Sequence, residues 1–118
     1  SLIKGKAQLL SGDDAIVVPL LSVGGEGVIS VASNICPQAM HDMVEAYLSG
    51  DVAKARDIQL GLLPLIKALF SEVNPIPVKM AASLMGLCEP YMRMPLTVME
   101  DANTAVLKEE LIRQGLVR

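Results

Sequence analysis

The sequence has no tryptophan, one phenylalanine (Phe70) and two tyrosines (Tyr47 and Tyr91), so aromatics make up only 3% of its 118 residues. Platforms on which bases or sugar rings stack need more aromatic surface than that. Basic residues are also in deficit: ten Lys and Arg stand against thirteen Asp and Glu, a net charge of −3. No face dense enough in cations to grip a phosphate backbone is expected, so nucleic acid is a poor partner. Cysteine is scarce. Cys36 and Cys88 make neither a disulfide framework nor a zinc set, and both have apolar sequence neighbours. Both are therefore expected to be small buried hydrophobes in a reducing, cytoplasmic setting. Long apolar runs are missing too. The longest begins at Ala15 and is cut by Pro19, well short of the roughly 20 residues that a membrane span requires. No charged-then-apolar opening leads to a small-residue cleavage site, so no secretory signal is expected.

What is abundant is aliphatic bulk. The chain is 52% apolar and 19% charged, with seven Met beside its Leu, Ile, Val and Ala. That composition is globular and fits one domain built on helix packing or a buried parallel sheet. Ala7 to Leu10 is a short apolar run that stops at Ser11-Gly12-Asp13-Asp14. A helix-like stretch from Ala15 to Val23 comes next, closed by Gly24-Gly25, and then a β-branched run over Gly27-Val28-Ile29-Ser30-Val31. Short apolar runs alternating with helical stretches mark parallel βα units, with strands near 7–11 and 27–31. Asp13 or Asp14 is placed to cap the first helix.

After Asn34 the chain reads as helix. Pro37 suits the first turn of a helix with apolar positions Met40, Met43, Val44, Tyr47 and Leu48; Gly50 ends it and Asp51 caps the next. That next helix carries Ala55, Ile58, Leu62, Leu65, Ile66 and Leu69, with Pro64 expected to bend it. Asn74-Pro75-Ile76-Pro77 opens a shorter helix ending near Gly86, and a turn region holds Pro90 and Pro95. The last helix starts about Asp101, buries Val106, Leu107, Leu111 and Ile112, and stops at Gly115. This inventory has a physical defect. Two short parallel strands do not make a sheet that stands alone, because parallel strands need both faces covered and neighbours on each side. The pattern is that of a piece of a larger βα structure.

The blocks Leu9-Leu10-Ser11-Gly12-Asp13-Asp14, Gly24-Gly25-Glu26-Gly27-Val28-Ile29-Ser30-Val31, Asn74-Pro75-Ile76-Pro77-Val78-Lys79 and Met94-Pro95-Leu96-Thr97 occur in that order. Together they resemble the C-terminal part of the dihydrodipicolinate synthase (4-hydroxy-tetrahydrodipicolinate synthase) family, over nearly the whole chain. The resemblance implies an α/β parent, a TIM (β/α)8 barrel with a C-terminal helical extension. Such a barrel needs on the order of 250 residues, so this chain, itself mostly α, is less than half of one. Residues 1–34 would hold the last two βα units, and 35–118 the eighth barrel helix and the extension.

The family consists of class I aldolase-type lyases. They condense pyruvate, held as a Schiff base on a lysine, with aspartate semialdehyde on the route to lysine. The resemblance places the Schiff-base lysine, the relay tyrosine and threonine, the arginine for the semialdehyde and the allosteric lysine site upstream of Ser1. It implies no cofactor and no metal, and a parent that is a cytoplasmic homotetramer. Two matching positions survive, Gly12 after strand seven and Ile29 on strand eight, whose backbones in the family help line the pyruvate pocket. Barrel enzymes place their chemistry at the C-terminal ends of the strands, and a glycine there lets substrate approach the main chain.

Other motifs have plainer readings. Asp13-Asp14 is a cap and a solvated face rather than a metal pair. Gly24-Gly25-Glu26-Gly27 precedes a strand and lacks a following Lys-Ser/Thr, so it is a tight αβ connection and not a phosphate loop. Lys79 belongs to the extension, away from the Schiff base, and His41 is a surface or interface histidine. The methionines are core and contact filler, with a binding groove as the alternative. Lys108-Glu109-Glu110 and Arg113 form the solvated face of the last helix. The chain alone is expected to be inactive and to self-associate through apolar surface meant for the rest of a barrel. Two rivals remain open: another pyruvate-dependent lyase, such as N-acetylneuraminate lyase, and a free-standing helical interaction module in which the two β-like runs are helix or loop.

Overall fold

A computed structural model describes residues 5–118. Two strands, β1 (Leu10–Ser11) and β2 (Gly27–Val28), pair in parallel with Leu10 opposite Gly27 and Ser11 opposite Val28. The two runs are therefore strands, not the helix or loop that a free-standing helical module required. Each is shorter than the expected 7–11 and 27–31. One further rung closes the ladder at each end, from Glu26 N to Leu9 O (2.9 Å) and from Ile29 N to Ser11 O (2.8 Å). With one neighbour apiece, the flanking residues find no other backbone partner to extend the pairing.

A 3-10 turn (Asp14–Ile16) and the short helix α1 (Val17–Ser22) connect the strands. Asp13 caps the turn, its carboxylate accepting from the Ala15 amide at 2.8 Å. Gly25 sits against the end of α1, where a Cβ would lie 2.9 Å from the carbonyl oxygen of Leu20. Only glycine allows that approach, which accounts for the Gly-rich connection without any phosphate.

The remainder is helical: α2 (Pro37–Leu48), α3 (Val52–Leu69), α4 (Ile76–Leu84) and α5 (Asp101–Arg113). Pro37 opens α2, Gly50 at φ +97° separates it from α3, and the Asp51 carboxylate caps α3 by accepting from the Lys54 amide. The α3 helix packs on α2, α4 and α5 and forms the spine of the core. Met43, Leu65, Leu69, Leu107 and Leu111 are completely enclosed, and Val17, Ala32 and Ile35 tie the strand connections to the same cluster. The α3 hydrogen-bonding pattern runs on through Pro64 to Leu69. Pro64 and Leu60, whose carbonyl loses its partner there, both lie towards the outer face.

Several expected core residues are not core. Leu48, Val106 and Ile112 are exposed, and Glu110 is buried instead. On α5 the buried stripe runs through Leu107, Glu110 and Leu111, and positions one residue away from it turn by 100° towards solvent. Glu110, assigned to the solvated face, lies along the core with one carboxylate oxygen on Arg113 at 3.2 Å. Cys88 is exposed, whereas Cys36 is buried, its thiol donating to the Ala32 carbonyl at 3.2 Å. Among the methionines, Met40, Met43 and Met99 are buried and Met94 is almost fully exposed. His41 is exposed, as a surface histidine should be. No helix of the described residues is long and apolar enough to cross a membrane.

Two features of this packing are open to direct test. The Glu72 carboxylate accepts from the Glu100 amide (3.0 Å) and from Asn103 Nδ2 (2.8 Å), holding the start of α5, which has no cap of its own. Glu72→Ala should cost about 1 kcal/mol, the usual worth of such a terminus contact, read as a lower urea midpoint at unchanged slope. Burial, with a smaller contribution from the Asp14 charge, pushes the Cys36 thiol up from 9.0 to about 11. Alkylation of the native chain should therefore label Cys88 and spare Cys36 until unfolding. Because the folded thiol ionises later than the unfolded one, this site's share of stability is complete below pH 9 and declines as pH rises towards 11.

Candidate functional site

The two strands run the same way, so their C-terminal ends open on one side of the sheet, and Gly12 and Ile29 are the residues that leave them. The bond from Ile29 N to Ser11 O puts the two exits side by side. A Cβ added at Gly12 would meet nothing within 4 Å, and Ile29 is 73% exposed. The space beside Gly12 and the exposed Ile29 are therefore open to a small molecule approaching the strand ends.

The grooves around them differ. Gly12 opens on an apolar groove of about 660 Å³ between the β1 exit and α3, walled by Ala15, Leu63, Ile66 and Phe70. Ile29 borders another of about 390 Å³, with Asn34, Asn74, Val78 and Lys79. The structure thus brings Gly12 and Ile29 together at the sheet end but does not enclose them in one cavity. Lys79, expected to lie away from the chemistry, stands half-buried on the rim of the Ile29 groove. His41 borders a further groove with Ser30 and Ser33, and no hydrogen bond among the described residues joins it to either serine.

Sequence reasoning missed what holds the strand ends. Asp14, assigned to a cap and a solvated face, is 1% exposed. Its Oδ2 accepts from the amides of Val31 (3.0 Å) and Ala32 (2.9 Å), in the turn after β2. Its Oδ1 is buried and accepts no hydrogen bond among the described residues. Gln59 on α3 donates from Nε2 to the Asp14 carbonyl (2.9 Å) and accepts from the Val18 amide through Oε1 (3.1 Å). A signal for both was present: Asp14 precedes Val17 and Leu21 at i, i+3 and i+7, and Gln59 lies between Ala55 and Leu62 at i+4 and i−3. Each polar residue occupies a position on a buried helical stripe.

The arrangement offers main-chain groups at an open strand edge and a rigid support behind them. Among the described residues, no three His, Cys, Asp or Glu side chains gather as metal ligands. Nor is any Ser, Cys or Lys side chain of these described residues hydrogen-bonded to a general base of the kind that activates a nucleophile.

A model of the dihydrodipicolinate synthetase family matches residues 1–114. The 4-hydroxy-tetrahydrodipicolinate synthase of Caldicellulosiruptor bescii is 54% identical over 92% of this chain and 37% of its own length. Among solved structures, the dihydrodipicolinate synthase of Thermotoga maritima superposes with a TM-score of 0.92 at 43% identity, over 93% of this chain and 37% of that one. The chloride-inhibited synthase of Acinetobacter baumannii, complexed with pyruvate, superposes with a TM-score of 0.93 at 34% identity, over 98% and 40%. The chain thus spans about two-fifths of the length of these relatives, and its two parallel strands and helices are a portion of their barrel fold. Matched over almost every residue by the family's model and by relatives in both sequence and shape, the chain belongs to the dihydrodipicolinate synthetase family.

Proposed function

We propose that this chain is the C-terminal portion of a 4-hydroxy-tetrahydrodipicolinate synthase. On this reading β1 and β2 are strands seven and eight of the barrel. Residues 1–34 carry the last two βα units, and 35–118 the eighth barrel helix and the helical extension. The observation that carries the reading is the pairing of an unfinished sheet with a finished helical core. The two-stranded parallel sheet has open edges and exposed Leu10 and Ile29, whereas α2 to α5 close around fully enclosed leucines. A barrel without its earlier strands has that composition: the sheet lacks neighbours, while the helices after it have theirs. The relatives carry the synthase name, which favours this activity over that of N-acetylneuraminate lyase.

The parent reaction is the condensation of pyruvate with aspartate semialdehyde. A lysine amine condenses with the ketone of pyruvate, losing water, to form an imine; the methyl carbon gives up a proton and adds to the aldehyde carbon, whose oxygen takes up a proton. This chain contributes the main chain of Gly12 and Ile29 to the pyruvate pocket. The imine-forming lysine and the proton-relay tyrosine belong to the preceding part, so the portion by itself is inactive. The full-length protein is a cytoplasmic homotetramer that needs no cofactor.

Borohydride trapping with pyruvate, read by intact mass, tests this directly. The full-length protein should gain the reduced pyruvate adduct and this chain alone should not. An adduct on this chain would place an active amine within it, Lys79 first, and overturn the assignment. Separated from its preceding part, the chain should also sediment as a dimer or larger at micromolar concentration, because the sheet face demands cover. A monomer there contradicts the incomplete-barrel reading.

A further inference from the structure

We infer that Asp14 is the positioning residue of the pyruvate-binding backbone, acting through the hydrogen bonds that its carboxylate accepts from the amides of Val31 and Ala32. The inference rests on the reading above, in which Gly12 and Ile29 line that pocket.

The geometry is a closed frame. On one side runs Ser11-Gly12-Asp13-Asp14 and on the other Ile29-Ser30-Val31-Ala32. Ser11 O accepts from Ile29 N at 2.8 Å at one end. Asp14 Oδ2 accepts from Val31 N at 3.0 Å and Ala32 N at 2.9 Å at the other. Gly12 lies between these ties and Ile29 is itself one end of the first, so the run from Ser11 to Asp14 that carries Gly12 is held to the run after Ile29 at both of its ends. The ladder alone does not do this, because it ends at Ile29 and leaves the next turn free. The frame is braced from behind by Gln59, which holds the Asp14 carbonyl at 2.9 Å. It is stiffened in front by the Ser33 amide donating to Ser30 Oγ at 2.8 Å.

A carboxylate is a costly choice for a purely structural tie. It is enclosed, and among the described residues it has no cationic partner and its Oδ1 accepts no hydrogen bond. Burying such a charge is unfavourable unless its hydrogen bonds repay it, and apolar filling of the same space is often the more stable solution. What the carboxylate provides is one oxygen that accepts from two successive amides, at 3.0 and 2.9 Å, and so fixes both of them at once. That is the quality needed where a displacement of about 1 Å can cost a hundredfold in reaction rate.

The test uses the full-length protein with Asp14→Ala, Asp14→Ser and Asp14→Asn. Pyruvate half-saturation is read by borohydride trapping, KM by steady-state turnover for each substrate, and folding by thermal midpoint. Asp14→Ala should raise pyruvate half-saturation about 10- to 100-fold while shifting the semialdehyde KM less than about threefold. Asp14→Asn should return pyruvate to within about threefold of the parent, since its Oδ1 still accepts from both amides. If Asp14→Ala does not fold, Asp14→Ser, with one shorter acceptor, should raise pyruvate half-saturation at least about threefold. A lowered thermal midpoint with unchanged pyruvate half-saturation in the folded variants overturns the positioning role alone. Absence of any pyruvate adduct on the unsubstituted full-length protein overturns the proposed function, and this inference with it.

Discussion

The carboxylate of Asp14 is the constraint on which the first third of the chain depends. Two strands of two residues each cannot set the course of the chain beyond them, since a parallel pair this short has few rungs and no second neighbour. The carboxylate takes over where the ladder stops, holding the amides of Val31 and Ala32 and so starting the turn that leads into α2. Each of those amides, left without a partner in the interior, would cost about 1–3 kcal/mol. Gln59 extends the network to the helices, because one side-chain amide both donates to the Asp14 carbonyl and accepts from the Val18 amide. Strand ends, α1 and α3 are thus joined by polar contacts that apolar packing, being non-directional, would not align.

The chain divides by the completeness of its packing. Around α3 the core is closed: Leu65 and Leu69 are enclosed in one cluster with Met43 of α2 and Leu107 and Leu111 of α5. Around the sheet it is open, with Leu10, Ile16, Val23 and Ile29 exposed in a stretch that holds both strands. A parallel sheet is stable when covered on both faces. Here the helices close on one another and on the strand connections, while none of the described residues covers the free edges of the strands. On the proposed reading these two conditions have one origin, a barrel cut between strands. The helical extension keeps its partners within the chain, and the strands lose theirs.

The helices were legible because their cues are local. Pro37 at the start of α2, Gly50 and Asp51 at the α2–α3 junction, Gly86 and Gly115 at helix ends each act within a turn of their own position. The inner stripe of α3, from Ala55 to Leu69, was legible for the same reason, since a period of 3.6 repeats over 18 residues. Errors arose where the outcome depends on a distant partner. Glu110 reads as polar and outward until α5 is laid on α3, and Val106 reads as inward until Leu107 takes that place. Cys88 comes after Gly86 and Leu87 in a turn that packs on little, so its apolar neighbours in sequence conferred no burial. The strands are shorter than the β-branched runs that suggest them, because such runs report a preference for extension while pairing requires a neighbour.

The site was legible only in part, for reasons that differ between main chain and side chain. Gly12 and Ile29 could be named only through resemblance, because what they offer is main chain, and main chain carries no compositional signature. Asp14 and Gln59 do have side-chain chemistry and lie on buried helical stripes, yet a stripe does not say which partner a polar residue on it meets. Their importance lies in separations of 17, 18 and 45 residues along the chain. A binding surface made of backbone is defined by whatever positions the backbone. On the proposed reading that is, for this chain, a carboxylate on one βα connection, the amides beyond the next strand, and a glutamine on a helix well downstream of both. A search for reactive side chains passes over all three, whereas an account of where each buried polar group finds its partner leads straight to them.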